Sequence, residues 1–156
     1  MENIYNYSTD IGEIAIAANE KAITHVYLKR PENIADAVVR ETELIAEAAR
    51  QLQSYFKGAL KYFDLPLAPT GSDFMQLVWA SLRTIPYGEI WSYKKLAESI
   101  GNPRAARAVG QANHRNPLPI FIPCHRVIGA DGQLTGYGSG LPIKAYLLEL
   151  EKQNLI

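Results

Sequence analysis

The stretch Pro66-Leu67-Ala68-Pro69-Thr70-Gly71 constrains the fold more than any other part of this chain. Proline cannot donate to a helix or sheet ladder, and it bars helix in the residue before it. Two prolines and a glycine within six residues therefore end one structural unit, and residues 1–70 and 71–156 are expected to fold separately. The two parts differ in charge. Residues 1–70 carry seven Lys+Arg against ten Asp+Glu, a net of −3, while residues 71–156 carry nine against six, a net of +3. The chain as a whole is neutral, sixteen against sixteen, which excludes a uniformly basic nucleic-acid coat. A composition 47% hydrophobic and 21% charged excludes disordered, collagenous and coiled-coil classes. A single cysteine excludes an internal disulfide and, with it, the stapled secreted class. Met1-Glu2-Asn3-Ile4-Tyr5 lacks the basic start and apolar run of a secretory signal. No segment approaches the roughly 18 apolar residues of a membrane span. A cytoplasmic protein is expected, nucleoid-associated if prokaryotic, monomeric and without a membrane partner.

Residues 4–8, 12–18 and 21–28 read as short strands, with Asn19-Glu20 as a hairpin turn. Ile34, Val38, Ile45, Ala48, Leu52 and Phe56 fall at helical spacings, so a helix is predicted over 33–57, ended by Gly58. Strands with one long helix make an α+β unit. It clusters no His, Asp or Cys and reads as scaffold.

In the second part, Ser72 is placed to cap a helix running to about Arg83, with Phe74, Leu77, Val78 and Leu82 inward. Ser92 caps a second helix over 93–100. Asn102 and Pro103 suit the start of a third, through about Asn113. Helix, Gly-containing turn, helix is the helix-turn-helix pattern, and an αα-hairpin in a core reads the same way. The third helix is nearly bare: Ala105, Ala106, Ala108, Gly110 and Ala112 surround Arg104 and Arg107. Between Arg83 and Arg126, seven basic residues face only Glu89 and Glu98, which fits either a polyanion footprint or a solvated face.

Three prolines within Pro117–Pro123 force an extended, stiff approach to Cys124, which is followed by His125 and Arg126. Thiolate is the nucleophilic form of cysteine, and neighbouring cations lower the pKa that controls it. A small buried hydrophobe is the alternative role for a lone cysteine. Beyond it, residues 129–133 read as a hairpin turn and 136–140 as a flexible loop. Pro142 opens a last helix with Ile143, Leu147 and Leu150 on one face, and Glu151 near its end suits either solvent or a histidine partner.

Ile122-Pro123-Cys124-His125-Arg126-Val127-Ile128 resembles the active-site signature of the O6-alkylguanine-DNA alkyltransferases, the methylated-DNA–protein-cysteine methyltransferases. The resemblance extends through Ile85-Pro86-Tyr87-Gly88-Glu89, Ser92-Tyr93, Gly101-Asn102-Pro103, Ala106-Arg107-Ala108-Val109-Gly110, Asn116-Pro117 and Lys144. It is close over about 72–151 and looser before, through Tyr55-Phe56-Lys57-Gly58 and Phe63-Asp64-Leu65-Pro66-Leu67. It implies an α+β protein: a small ribonuclease-H-like N-terminal α/β domain (1–70), then a winged-helix C-terminal domain carrying the helix-turn-helix (71–156). It implies that Cys124 accepts the alkyl group, His125 is a water-linked base, Glu151 orients His125, and Asn116 braces the loop. Arg107 fills the gap left by a flipped guanine, and Tyr93 helps rotate the nucleotide out and protonate the leaving base. Lys94 and Asn102 lie along the DNA backbone. The implied partner is double-stranded DNA containing O6-alkylguanine, with O4-alkylthymine a further substrate. No cofactor and no metal are implied.

Two departures stand out. Gly138 occupies a place where some members carry a serine facing the guanine oxygen, which bears on the breadth of alkyl groups accepted. The N-terminal part has no cysteine, so the zinc of some relatives cannot be built from thiolates. Two rival readings remain, a thiol hydrolase and a lesion-recognition module of the alkyltransferase-like type. Adjacent Cys-His is poorly placed for direct proton transfer in the first, and the presence of Cys124 opposes the second.

Overall fold

The structure, a computed structural model, describes residues 2–29, 37–129 and 140–155. The chain forms two compact units, Met1–Thr70 and Gly71–Ile156. Among the described residues, no helix is long and apolar enough to cross a membrane.

The first unit holds four strands, β1 (Glu2–Thr9), β2 (Gly12–Ala18), β3 (Ile23–Tyr27) and β4 (Ala37–Val39), in the order β3-β2-β1-β4. β2 is antiparallel to β1 and β3, while β4 lies parallel to β1. The turn after β2 is made by Asn19, whose Oδ1 accepts from the backbone N–H groups of Lys21 and Ala22, both at 2.8 Å. That turn delays β3 to Ile23. Helix α1 (Glu43–Phe56) packs against the sheet through Ile45, Ala48, Leu52 and Tyr55. Its foot is tied by Gln51, which accepts from Asp64 N at 2.9 Å and donates to Asp64 O at 3.1 Å.

The helix predicted over 33–57 is corrected at its start. Residues 37–39 are strand, and the helix begins at Glu43, where the Thr42 hydroxyl accepts from Ile45 N. Residues 33–36 lie outside the described residues. Val38 and Val39 are β-branched and pair with Asn3 and Ile4, a long-range contact that overrides the local helical spacing.

The second unit runs α2 (Asp73–Leu82), β5 (Trp91–Ser92), α3 (Tyr93–Ser99), α4 (Ala106–His114), a 3-10 turn (Cys124–Arg126), β6 (Val127–Ile128) and α5 (Leu141–Gln153). Ser72 and Ser92 cap α2 and α3, each hydroxyl accepting from the N–H three residues on. β5 and β6 form a two-stranded parallel ladder, Trp91 opposite Val127. Helices α2, α3 and α4 pack on one another.

Three expectations are corrected here. Leu77 is half exposed, Phe74 is only partly covered, and Trp79 is buried instead, donating from Nε1 to Ala112 O at 2.9 Å. Asn102 does not cap α4. The helix starts four residues later behind Ala105, which supplies no side-chain cap, and Asn102 O closes a turn by accepting from Ala105 N. On α5 the inward face is Lys144, Leu147 and Glu151, rotated from Ile143, Leu147 and Leu150. Both charged side chains on that face are buried and have partners inside the unit. The turn expected at 129–133 and the loop at 136–140 fall outside the described residues but for Gly129 and Gly140.

Candidate active site

The proline-rich segment does more than stiffen the chain. Ile120 has φ of 76°, a left-handed conformation that a β-branched residue rarely adopts. The turn around it is held by Asn116, which accepts from Leu118 N at 2.9 Å and donates to Ile122 O at 2.8 Å. Ile122 N closes the loop on Leu118 O at 2.8 Å. Local backbone strain persists only where surroundings over-determine it, and here one carboxamide grips both ends. Cys124 follows at the start of the 3-10 turn and is 4% exposed.

Behind the cysteine lies a buried ionic cluster. His125 Nε2 meets Glu151 Oε2 at 2.6 Å, and both side chains are essentially inaccessible. Arg126 donates from Nε to Glu151 Oε1 at 2.8 Å and from Nη2 to Oε2 at 3.0 Å. Its Nη1 reaches Ile85 O at 2.7 Å, and the guanidinium lies 5.6 Å from the Tyr87 ring centroid. Gly88 N also donates to Glu151 Oε1, at 3.0 Å. Glycine is required at that position: φ is +82°, and a Cβ would fall 2.1 Å from Leu155 Cδ2.

These contacts set the protonation states. Burial opposes the charge on Glu151, yet the hydrogen bonds and positive charge of His125 and Arg126 hold its carboxyl below the ordinary carboxylate range. Burial pushes His125 down, against the pull of Glu151, so the imidazole is neutral. A carboxylate at Nε2 means Nε2 carries the proton and Nδ1 is the basic nitrogen. Burial pushes the Cys124 thiol up to about 11, partly offset by Asn116 and by the charge of Lys144. Lys144 is itself fully buried, donates to Val127 O at 2.6 Å, and is lowered by burial to about 8.

The thiol therefore differs from its sequence-based expectation. Adjacent His125 and Arg126 were expected to lower its pKa. In the fold, Arg126 is spent on Glu151 and Ile85, His125 is neutral, and desolvation wins. At neutral pH the resting group is therefore the thiol, so the site needs a base.

The structure gathers Cys124, His125, Glu151 and Asn116 about one turn. Lys94, Asn102 and Arg107 stand apart on the exposed surface of α3, the following turn and α4. Tyr93 is half-buried at the head of α3, and a Cβ on Gly110 of α4 would lie 3.6 Å from its ring. The bare helix thus gives the tyrosine a seat. Sequence reading matched Lys144 to the family without giving it a role, and missed the Glu151 partnership of Arg126 and Asn113, which donates from Nδ2 to Cys124 O at 3.3 Å. The seven-residue spacing of Lys144 and Glu151 places both on one face of a helix and was a usable signal. Nothing local marked the other two. Among the described residues, no group of three His, Cys, Asp or Glu is placed to hold a metal ion.

Comparison with known proteins agrees in both units. Residues 5–69 match the family model "6-O-methylguanine DNA methyltransferase, ribonuclease-like domain", and residues 73–153 match that family's DNA binding domain. The methylated-DNA–protein-cysteine methyltransferase of Methanosarcina barkeri is 55% identical over 148 residues, covering 93% of this chain and 94% of that one. The constitutive enzyme of that name from Bacillus subtilis is 50% identical, covering 92% of each. The crystal structure of Mycobacterium tuberculosis OGT in complex with DNA superposes with a TM-score of 0.91 at 43% identity, over 97% of this chain and 94% of that one. With one domain of the same family matched in each unit, and Cys124 in the fold that family uses, the chain belongs to the 6-O-methylguanine DNA methyltransferase family.

Proposed function

We propose that this protein repairs DNA directly, by moving the alkyl group of O6-alkylguanine in duplex DNA onto Cys124. The observation that carries the reading is the buried Cys124 beside a neutral His125 whose tautomer is fixed by Glu151. Displacement at an sp³ carbon needs a soft nucleophile, which a thiolate is and a hydroxyl is not. His125 Nδ1 takes the thiol proton, through water where the distance requires it. Glu151 then faces an imidazolium, and Lys144 supplies positive charge beside the new thiolate. The sulfur–carbon bond forms as the carbon–O6 bond breaks, and guanine leaves with a proton supplied by the Tyr93 hydroxyl. The product is a thioether, which no group in this site can cleave. Each molecule acts once.

The lesion sits inside the stack, so it reaches Cys124 only after the nucleotide is extruded. Extrusion costs a few kcal/mol, offset in part when a side chain enters the gap. Arg107, exposed on a helix otherwise made of small residues, suits that role; Lys94 and Asn102 suit the flanking phosphates. Asn116 supports the turn that presents the sulfur. The reaction calls for no cofactor, and a lone reactive thiol fits the reducing cytoplasm.

Incubating the protein with duplex containing O6-methylguanine and analysing the DNA tests this. Restored guanine with an intact strand supports transfer. A persistent lesion under tight binding supports a recognition module instead, and a persistent lesion together with acid released from an added ester substrate supports a hydrolase.

A further inference from the structure

Arg107 and Cys124 have to act on one extruded nucleotide, yet Arg107 stands on the exposed face of α4 while Cys124 follows the proline-rich loop beyond that helix. Little in α4 itself fixes its position. Its head has no side-chain cap, and the small residues along it make shallow ridges that resist sliding weakly. Directional bonds hold its foot instead. Asn113 Nδ2 donates to Cys124 O at 3.3 Å, and Trp79 Nε1, from α2, donates to Ala112 O at 2.9 Å. Ala112 O is among the closing carbonyls of the helix, which lack regular intrahelical partners; Arg115 N also reaches it, at 3.2 Å.

Trp79 is buried and its ring is wedged, since a Cβ on Gly71 would fall 2.5 Å from Cη2. A tryptophan in a core needs an acceptor for its N–H. A purely apolar ring fills the space without that demand and leaves the foot of α4 without this tie to α2. Arg107 lies six residues before Asn113, about 9 Å along the helix axis, so a shift at the foot is carried to the head. We propose that Trp79 is a positioning residue that, by anchoring Ala112 O, sets the spacing between Arg107 and the Cys124 turn. This role rests on the alkyl-transfer reading above, with extrusion by Arg107. Spacing matters in duplex, where the protein must fill the gap and present the sulfur at once, whereas a free base needs only the sulfur. A misplacement of about 1 Å can cost on the order of 10²-fold in rate.

The test measures single-turnover methylation of Cys124 from O6-methylguanine in duplex and from the free base. Trp79→Phe, which keeps a ring and loses the N–H, should lower the duplex rate about tenfold or more relative to the free-base rate. A merely structural role lowers both by the same factor. In an Arg107→Ala background, Trp79→Phe should leave the ratio of the two rates where Arg107→Ala already put it, because residues that act through one another are not additive. If Trp79→Phe does not fold, 3-benzothienylalanine at position 79 keeps the indole's shape without its N–H and should give the same result. An unchanged ratio on loss of the N–H, or a full further fall in the double variant, would overturn the assignment while leaving methyl transfer standing. Failure of the parent protein to form S-methylcysteine from either substrate would instead overturn the alkyl-transfer reading itself.

Discussion

Replacing Glu151 with glutamine should damage the fold and the chemistry together. The carboxylate accepts from Arg126 Nε and Gly88 N at Oε1 and from His125 Nε2 and Arg126 Nη2 at Oε2. A glutamine can keep the first pair through its amide oxygen, but it then turns an NH₂ donor toward the second pair, which are donors too. Among the described residues, the buried Arg126 charge then keeps Ile85 O and the Tyr87 ring. Breaking a buried ion pair from one side typically costs about 3–5 kcal/mol. For a chain of this size that is a fall in melting temperature of roughly 6–20 °C. The pH dependence has a definite sign. Glu151 is held below its ordinary value of 4.5, so its stabilisation is complete above that value and is lost as pH falls toward the lowered one. The gap between parent and variant should therefore be full at pH 7 and shrink from pH 5 toward 3. His125 loses the partner that fixes its tautomer, and general-base catalysis is worth about 10²–10⁴-fold, which bounds the drop in single-turnover rate. Circular-dichroism melts across pH and quenched single-turnover assays measure both. A variant melting within about 2 °C of the parent at pH 7 would refute the account of the cluster.

Arg107→Ala should slow repair in duplex far more than reaction with free alkylated base, because only duplex requires extrusion; equal losses in paired single-turnover assays would remove Arg107 from that step. Lys94→Ala should weaken binding to all sequences and flatten the salt dependence of affinity by about one phosphate contact, read by fluorescence titration. Methylated protein should melt lower than unreacted protein. Cys124 is nearly inaccessible, and an added methyl in a filled core costs about 1–3 kcal/mol, so a higher melting temperature after reaction would mean spare volume at the sulfur. Chelator treatment should change neither the melting temperature nor the methyl count, and stoichiometric zinc in purified protein would contradict this.

Most of the fold could be read locally. The Ser72 and Ser92 caps, the Asn19 turn and the small-residue run of α4 are short-range signals, and each element stands where those residues act. The misplaced features depend on distant partners. β4 exists because Val38 and Val39 find β1, more than thirty residues earlier, and Trp79 is inward because Ala112 O meets its indole. The motif resemblance named Cys124, His125, Asn116 and Glu151, which the fold brings about one turn. The thiol's protonation was not legible, since it turns on whether Arg126 points at the sulfur or at a glutamate 25 positions away. Asn113 was hidden for the same reason, as the carbonyl it holds belongs to another element.

The central claim, that Cys124 takes one alkyl group and is then spent, is tested most directly by mass. Protein incubated with a large excess of O6-methylguanine duplex should gain a single methyl group, mapped by fragmentation to Cys124, and repair should stop when every molecule carries it. Cys124→Ser should bind the duplex and gain nothing. Repair that continues beyond one lesion per protein molecule, or a methyl group on any other residue, would contradict the account.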